Sequence, residues 1–329
     1  MSRAPQAPFT HPRYLAGPEL GRGAQGVVVR VHDREAPARA LVAKVWLDGA
    51  FREQALLGEF ALLARARIPG LVRAHDLARC TRTGAPFLIE DFVDGPEAGE
   101  VLAAALPQAR GGVLLHLLAD LAGTLAGLHE SGFVHGDLKP AHVRVIRVDQ
   151  ASRPMLLDLG AAVGRAREPG APLAFTTAFA APELLAGGAP SALSDLFALG
   201  ALGWALCTGA PPPRVSRRPL RELCAWVPPA AAAVIEALLA DHPRDRPESA
   251  RALLFRLGVA QKAAGIGVGH LPPPIGRERE LERLRVPGRS AVRYLIGASG
   301  VGKSHLAREL YTRALLEGRS ARLLCFPAD

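Results

Sequence analysis

The stretch LGRGAQGVVVRVHD, residues 20–33, sets Gly21, Gly23 and Gly26 in a GxGxxG spacing between two strand-like runs, YLAGPEL and VVVRV. Strand on both sides means a hairpin, whereas the same spacing in a dinucleotide fold joins a strand to a helix. An ordinary tight hairpin is the bland reading. The alternative is a lid over phosphates, because glycine lets backbone N–H groups come close to phosphate oxygens. Val28 completes the pattern GxGxxGxV.

The neighbouring strand favours the lid. Eighteen residues past Gly26, LVAKVW carries Lys44 in an apolar strand, where an ammonium is costly to bury unless paired. The helical stretch FREQALLGEFALLARAR offers Glu59 as partner, with Glu53 as competitor. Glu59 is preferred because it lies nine residues before the turn Ile68-Pro69-Gly70. Of 40 basic residues only four are lysines, namely Lys44, Lys139, Lys262 and Lys303. Three of them sit in phosphate-handling motifs, where a compact ammonium fits beside oxygens that a planar guanidinium would crowd.

The net charge of +9 is concentrated after residue 258, where 12 basic face 6 acidic residues. Scattered arginines with aromatics at 5% point to a solvated surface and no specific nucleic-acid partner. Cys80, Cys207, Cys224 and Cys325 show no ligand spacing, which suits reduced thiols and a cytoplasmic location. MSRAPQAPFT has no apolar run, and the longest such run, residues 196–207, reads as a buried helix, so no membrane partner is expected.

The centre of the chain carries LHESGFVHGDLKP (128–140), LLDLG (156–160), APE (181–183), SDLFALG (194–200) and HPRDRP (242–247). Together with the lid and Lys44, these motifs in this order resemble a eukaryotic-type serine/threonine protein kinase over residues 14–257 or so. The resemblance implies an α+β bilobal fold with a β-rich N-lobe (14–90), a hinge (91–95) and a helical C-lobe (96–258), preceded by a flexible terminus (1–13). It implies ATP, a protein substrate, and Mg²⁺ or Mn²⁺. It assigns Asp137 to the substrate hydroxyl proton, Lys139 to the charge developing on the γ-phosphate and Asp158 to the metal. Lys44, paired with Glu59, joins the ATP site with Gly21, Gly23, Gly26 and Val28. Main-chain groups of about Asp91 and Val93 meet adenine, with an unusual acid, Glu90, just before them. Glu183–Arg246 is expected as a buried ion pair, and Asp195 as a cap on the catalytic-loop backbone.

Two letters depart from the family pattern. Gly136 stands where an Arg commonly pairs with a phosphorylated activation segment, whose only hydroxyls between residues 161 and 180 are Thr176 and Thr177. Activation independent of segment phosphorylation is the expectation. His142 stands where an Asn usually offers oxygen to the metal; imidazole nitrogen suits Mn²⁺ better than Mg²⁺. His142 ligating a softer metal, Asp158 holding a metal with water, and loss of turnover are the three outcomes. The last is a pseudokinase, a nucleotide-binding regulatory domain. A small-molecule kinase is disfavoured by APE and HPRDRP.

After a Gly/Pro-rich linker (259–274), GRERELERL reads as a short amphipathic helix. AVRYLIGASGVGKSHLARELYTRALL then places GxxxxGK[ST] between a strand and a helix. Gly297, Gly300, Gly302, Lys303 and Ser304 are therefore candidates for a second nucleotide site. Residues 275–329 resemble the opening of an AAA-type or signalling P-loop ATPase, a partial α/β segment too short for the whole sheet. Further C-terminal regulatory domains are expected beyond it.

Overall fold

A computed structural model of the chain describes residues 7–23, 26–46, 60, 63, 66–148, 151–158, 163–164, 175–257, 269–270 and 278–284, with positions 295, 303, 306–307 and 310 beyond them. Period-two burial sets up the N-terminal sheet. In β2 (Gly26–Asp33), Val27, Val29, Val31 and Asp33 are buried while the alternate positions are less so. β1 (Tyr14–Arg22), β2, β3 (Leu41–Trp46), β5 (Ala74–Arg79) and β6 (Pro86–Asp91) form one antiparallel sheet in the order β1-β2-β3-β6-β5. The short β4 (Ala66–Arg67) stands apart and pairs with Gly269–His270, from the stretch read as linker.

The expectation of a flexible start is corrected for residues 7–13. Phe9 is buried and stacks on Phe87 of β6 with ring centroids 4.2 Å apart. The Thr81 N–H donates to the Thr10 carbonyl at 2.8 Å, and Arg13 grips the buried Asp33 carboxylate with two bonds of 2.8 and 2.7 Å. One aromatic among prolines and polar residues carries no periodic signal. Its burial depends on the face of a sheet formed by residues far along the chain.

Residues 92–97 lead from β6 into the C-lobe. There α1 (Ala98–Ala104) precedes α2 (Pro107–Glu130), which has Pro at its first turn, where a missing N–H costs nothing. Helix α2 is long and apolar enough to cross a membrane by length and composition. Here Leu114, Leu117, Leu118, Leu121, Leu125 and Leu128 are spent on the C-lobe core. β7 (Phe133–Val134) pairs with β10 (Val163–Gly164), and β8 (Val143–Val148) with β9 (Ala151–Leu156). The helical remainder is α3 (Pro182–Leu185), α4 (Ala192–Thr208), α5 (Leu220–Leu223), α6 (Pro229–Leu238) and α7 (Ala250–Arg256). The helix expected near 276–284 is α8, Glu278–Leu284.

Helix α4 is the apolar run of residues 196–207, buried as expected. It packs on α6 through Gly200, where a Cβ would stand 2.7 Å from Leu238 Cβ and 3.3 Å from the Ile235 carbonyl oxygen. The missing side chain sets how closely the helices approach, and that approach holds the first turn of α4 beneath the catalytic loop. Gly200→Ala should destabilise the domain by about 1–3 kcal/mol, the usual cost of overpacking a close-packed core. Urea denaturation should show a lowered midpoint with unchanged slope; an unaltered midpoint would mean that this approach is not tight.

Candidate active site

The site is assembled around a loop running from β7 through residues 135–139 into a 3₁₀ turn, Pro140–His142. Asp195, buried in the first turn of α4, receives that loop. One carboxylate oxygen accepts the His135 N–H at 2.8 Å and the other the Gly136 N–H at 2.9 Å. The first oxygen also meets His129 Nε2 at 2.8 Å. A buried carboxylate is tolerable when saturated this way, and a helix N-terminus favours negative charge. Ser191 and Ser194 cap each other's backbone N–H groups at that same helix start, fixing where Asp195 points. The cap expected of Asp195 is found; the contribution of His129 had no sequence signal.

Gly136 has φ of +80°, a left-handed conformation that any residue with a Cβ adopts only under strain. Asp137 follows with both carboxylate oxygens engaged. Oδ1 accepts the Thr176 N–H at 2.6 Å, and Oδ2 accepts from Lys139 Nζ at 2.7 Å. Lys139 also donates to Thr176 Oγ1 at 2.8 Å. Asp137, Lys139 and Thr176 thus form a closed triangle across two segments.

A second cluster abuts the first. Lys44, nearly buried in β3, pairs with Asp158 Oδ1. Glu59, the partner expected from sequence, lies outside the described residues. Asp158 has φ of +56°, a left-handed conformation unusual for a residue with a side chain and typical of functional positions. His142 Nδ1 lies 2.9 Å from the Asp137 carbonyl oxygen, and its Nε2 lies 3.5 Å from Asp158 Oδ2. Burial pushes the His142 imidazolium down to about pKa 4, against the upward pull of Asp158, so the ring is neutral near pH 7. A carbonyl only accepts, so the single ring proton sits on Nδ1. That leaves the Nε2 lone pair facing a carboxylate oxygen, two acceptors with no proton between them. A cation between them would turn mutual repulsion into ligation. The residues present would offer a divalent metal two donors, one nitrogen and one oxygen, and no group of three or more His, Cys, Asp or Glu side chains set for a metal stands among the described residues.

Over this cluster lies the sheet. Strand register sets Val28 opposite Lys44 and Lys44 opposite Leu88, so Val28 and Lys44 share one face. The same register sets Glu90 opposite Val42, two residues from Lys44 on that face. Arg30, opposite Val42 from the other side, stacks over Phe92 with its guanidinium carbon 3.8 Å from the ring centroid. Asp91 closes β6, donating its N–H to the Arg73 carbonyl at 3.0 Å and meeting His75 Nε2 at 2.5 Å through its side chain. Half-buried Val93 follows in the connector. Gly21, Gly23 and Gly26 flank the lid turn, whose tip at residues 24–25 lies outside the described residues. So do Gly297, Gly300, Gly302 and Ser304; Lys303 is helical.

Comparison with known proteins is consistent across the domain. The family model described as protein kinase domain matches residues 14–256. A serine/threonine-protein kinase of Streptomyces coelicolor, PkaA, is 32% identical over 304 residues, covering 84% of this chain and 54% of its own length. PknK of Mycobacterium tuberculosis, also a serine/threonine-protein kinase, is 30% identical, covering 82% and 25%. The chain thus spans about half the length of one relative and a quarter of the other. A crystal structure of the PknI kinase domain of Mycobacterium tuberculosis superposes with a TM-score of 0.59 at 28% identity, covering 80% of this chain and all of that one.

The segment bearing Thr176 is tied to the last helices by Arg246, whose side chain is fully buried and reaches both oxygens of Glu183 at 2.7 and 2.8 Å. Burial pushes the Glu183 carboxyl up, and the Arg246 bonds more than reverse it, holding it below its ordinary value of 4.5. A depressed carboxyl contributes stability that is present above its unfolded pKa and lost as pH falls through the folded one. Stability of the wild type should therefore decline more steeply below about pH 4.5 than that of Glu183→Gln. Thermal melts from pH 7 to 3 test this; parallel curves would mean that the pair is not linked to folding.

Proposed function

Because this chain belongs to the protein kinase family, we propose that it is an ATP-dependent serine/threonine protein kinase, transferring the γ-phosphoryl group of ATP to hydroxyls of a protein substrate. The observation that carries this is the approach of two polar clusters, Lys44–Asp158 from the N-lobe side and His142–Asp137–Lys139 from the catalytic loop, which come within 3.5 Å of each other at His142 and Asp158. Those are the groups that positional and electrostatic catalysis of phosphoryl transfer requires.

In this reading Lys44 meets phosphate oxygens beneath the lid of Gly21, Gly23, Gly26 and Val28, with Glu59 holding its ammonium. Main-chain groups at Asp91 and Val93 meet the base. Asp137 orients the acceptor hydroxyl and takes its proton, and Lys139 offsets charge developing on the transferred group. Asp158 and His142 would hold the divalent ion, which supplies charge neutralisation for the phosphates. The bare Nε2 of His142 supports Mn²⁺ over Mg²⁺. Nothing favours the alternative of a nucleotide-binding domain without turnover, and the ready lone pair of His142 speaks against it.

The test is phosphotransfer to a mixed Ser/Thr peptide pool with each metal. The wild type should run faster with Mn²⁺, and His142→Asn should narrow that difference. Asp137→Asn and Lys44→Met should each lose about 10²-fold or more, the scale expected for removing a proton acceptor or a phosphate ligand. Wild-type turnover no greater than that of Asp137→Asn would establish the pseudokinase instead. Equal rates with both metals would count against ligation by His142.

We further propose that residues 297–304 form a P-loop opening a second nucleotide-binding module, on the strength of GASGVGKS between a strand-like and a helix-like stretch. Lys303→Ala should lower nucleotide stoichiometry from two to one in Lys44-intact protein measured by calorimetry. An unchanged stoichiometry would remove the second site.

A further inference from the structure

The turn just after Thr176 is held from outside by a residue that no catalytic motif contains. Arg214, in the loop after α4, donates through Nη1 to the Ala180 carbonyl at 2.8 Å and through Nη2 to the Thr177 carbonyl. These carbonyls bracket a turn closed by Phe179 N–H to the Thr176 carbonyl at 3.0 Å and Ala180 N–H to the Thr177 carbonyl at 3.3 Å. A planar guanidinium bonds two carbonyls from two nitrogens held in a fixed fork, whereas a lysine offers its donors from a single point. The loop that presents it is stiff. Pro211, Pro212 and Pro213 restrict φ ahead of Arg214, and Arg217 anchors the far side to Asp241 at 2.9 Å. The guanidinium also lies 5.9 Å from the centroid of Phe197 in α4.

Gly136 makes this arrangement consequential. A phosphate on Thr177, whose side chain is exposed, finds no guanidinium at position 136 to order it. Yet Thr176 is ordered, with its N–H on Asp137 and its hydroxyl on Lys139. The turn that follows Thr176 carries the two carbonyls that Arg214 holds.

We propose that Arg214 is a positioning residue that clamps the 176–180 turn through the Thr177 and Ala180 carbonyls and so holds Thr176 against Asp137 and Lys139 without any phosphate on the segment. The catalytic consequence rests on the kinase reading; the clamp itself does not.

The test uses the full chain and the variants Arg214→Ala, Arg214→Lys, Thr176→Val and Arg214→Ala/Thr176→Val, with two readouts. Amide hydrogen exchange at Thr176 and Phe179 should accelerate about tenfold in Arg214→Ala and by less in Arg214→Lys, which keeps one bond. Peptide phosphorylation should lose about tenfold in kcat with the KM for ATP unchanged, and the loss should largely vanish in the Thr176→Val background, as expected of groups acting as a unit. Phosphatase treatment of the wild type should leave kcat unaltered. Unchanged exchange, additive losses, a parallel fall in ATP affinity, or collapse of kcat on phosphatase treatment would each overturn the proposal. A wild type that transfers no phosphate with either metal would sink the kinase reading alone, because exchange at Thr176 still decides the clamp.

Discussion

One buried carboxylate underlies the site. Asp195 spends its oxygens on the His135 and Gly136 N–H groups and on His129, so the catalytic loop takes its shape from a helix of the C-lobe core. A charge this enclosed is costly unless every lone pair is answered, and this demand makes the loop conformation nearly obligatory. Its position depends on the first turn of α4, hence on the reciprocal serine cap and on the close approach of α4 to α6 at Gly200. Core packing and catalytic geometry are the same structure seen from two ends.

From that anchor, two polar clusters meet at His142. One side chain touches the Asp137 carbonyl and faces Asp158, which pairs with Lys44 from the other lobe. The imidazole therefore does more than occupy an amide's place. Through its Nδ1–H it reports the loop conformation, and through Nε2 it turns a donor atom toward the carboxylate expected to hold the ion. Burial keeps the ring neutral, so that nitrogen retains its lone pair.

Gly136 is a second departure with two effects. It removes a guanidinium that a phosphorylated segment would use, and it relieves the strain of a left-handed backbone position. Arg214, on a proline-stiffened loop, grips the segment's main chain instead. Holding carbonyls in place of a phosphate makes the ordering of Thr176 a property of the fold.

Local spacing determined a great deal. Glycines between strands, a lone lysine in an apolar strand, and DLKP, DLG and APE in order resemble a protein kinase, and the family match over residues 14–256 agrees. The Glu183–Arg246 pair and the Asp195 cap were legible through that resemblance, since their partners sit inside its motifs. Less was legible where a single residue lacks periodic context: Phe9 reads as part of a loose tail, and Arg214 as one arginine among many. The bond that matters there joins Thr177 to Arg214 across 37 positions, and even the legible Lys44 meets Asp158 across 114. Which arginine meets which carbonyl, and which imidazole nitrogen keeps its lone pair, depend on how helices and sheet pack. No local sequence rule specifies a direction in space, so only the tertiary structure decided them.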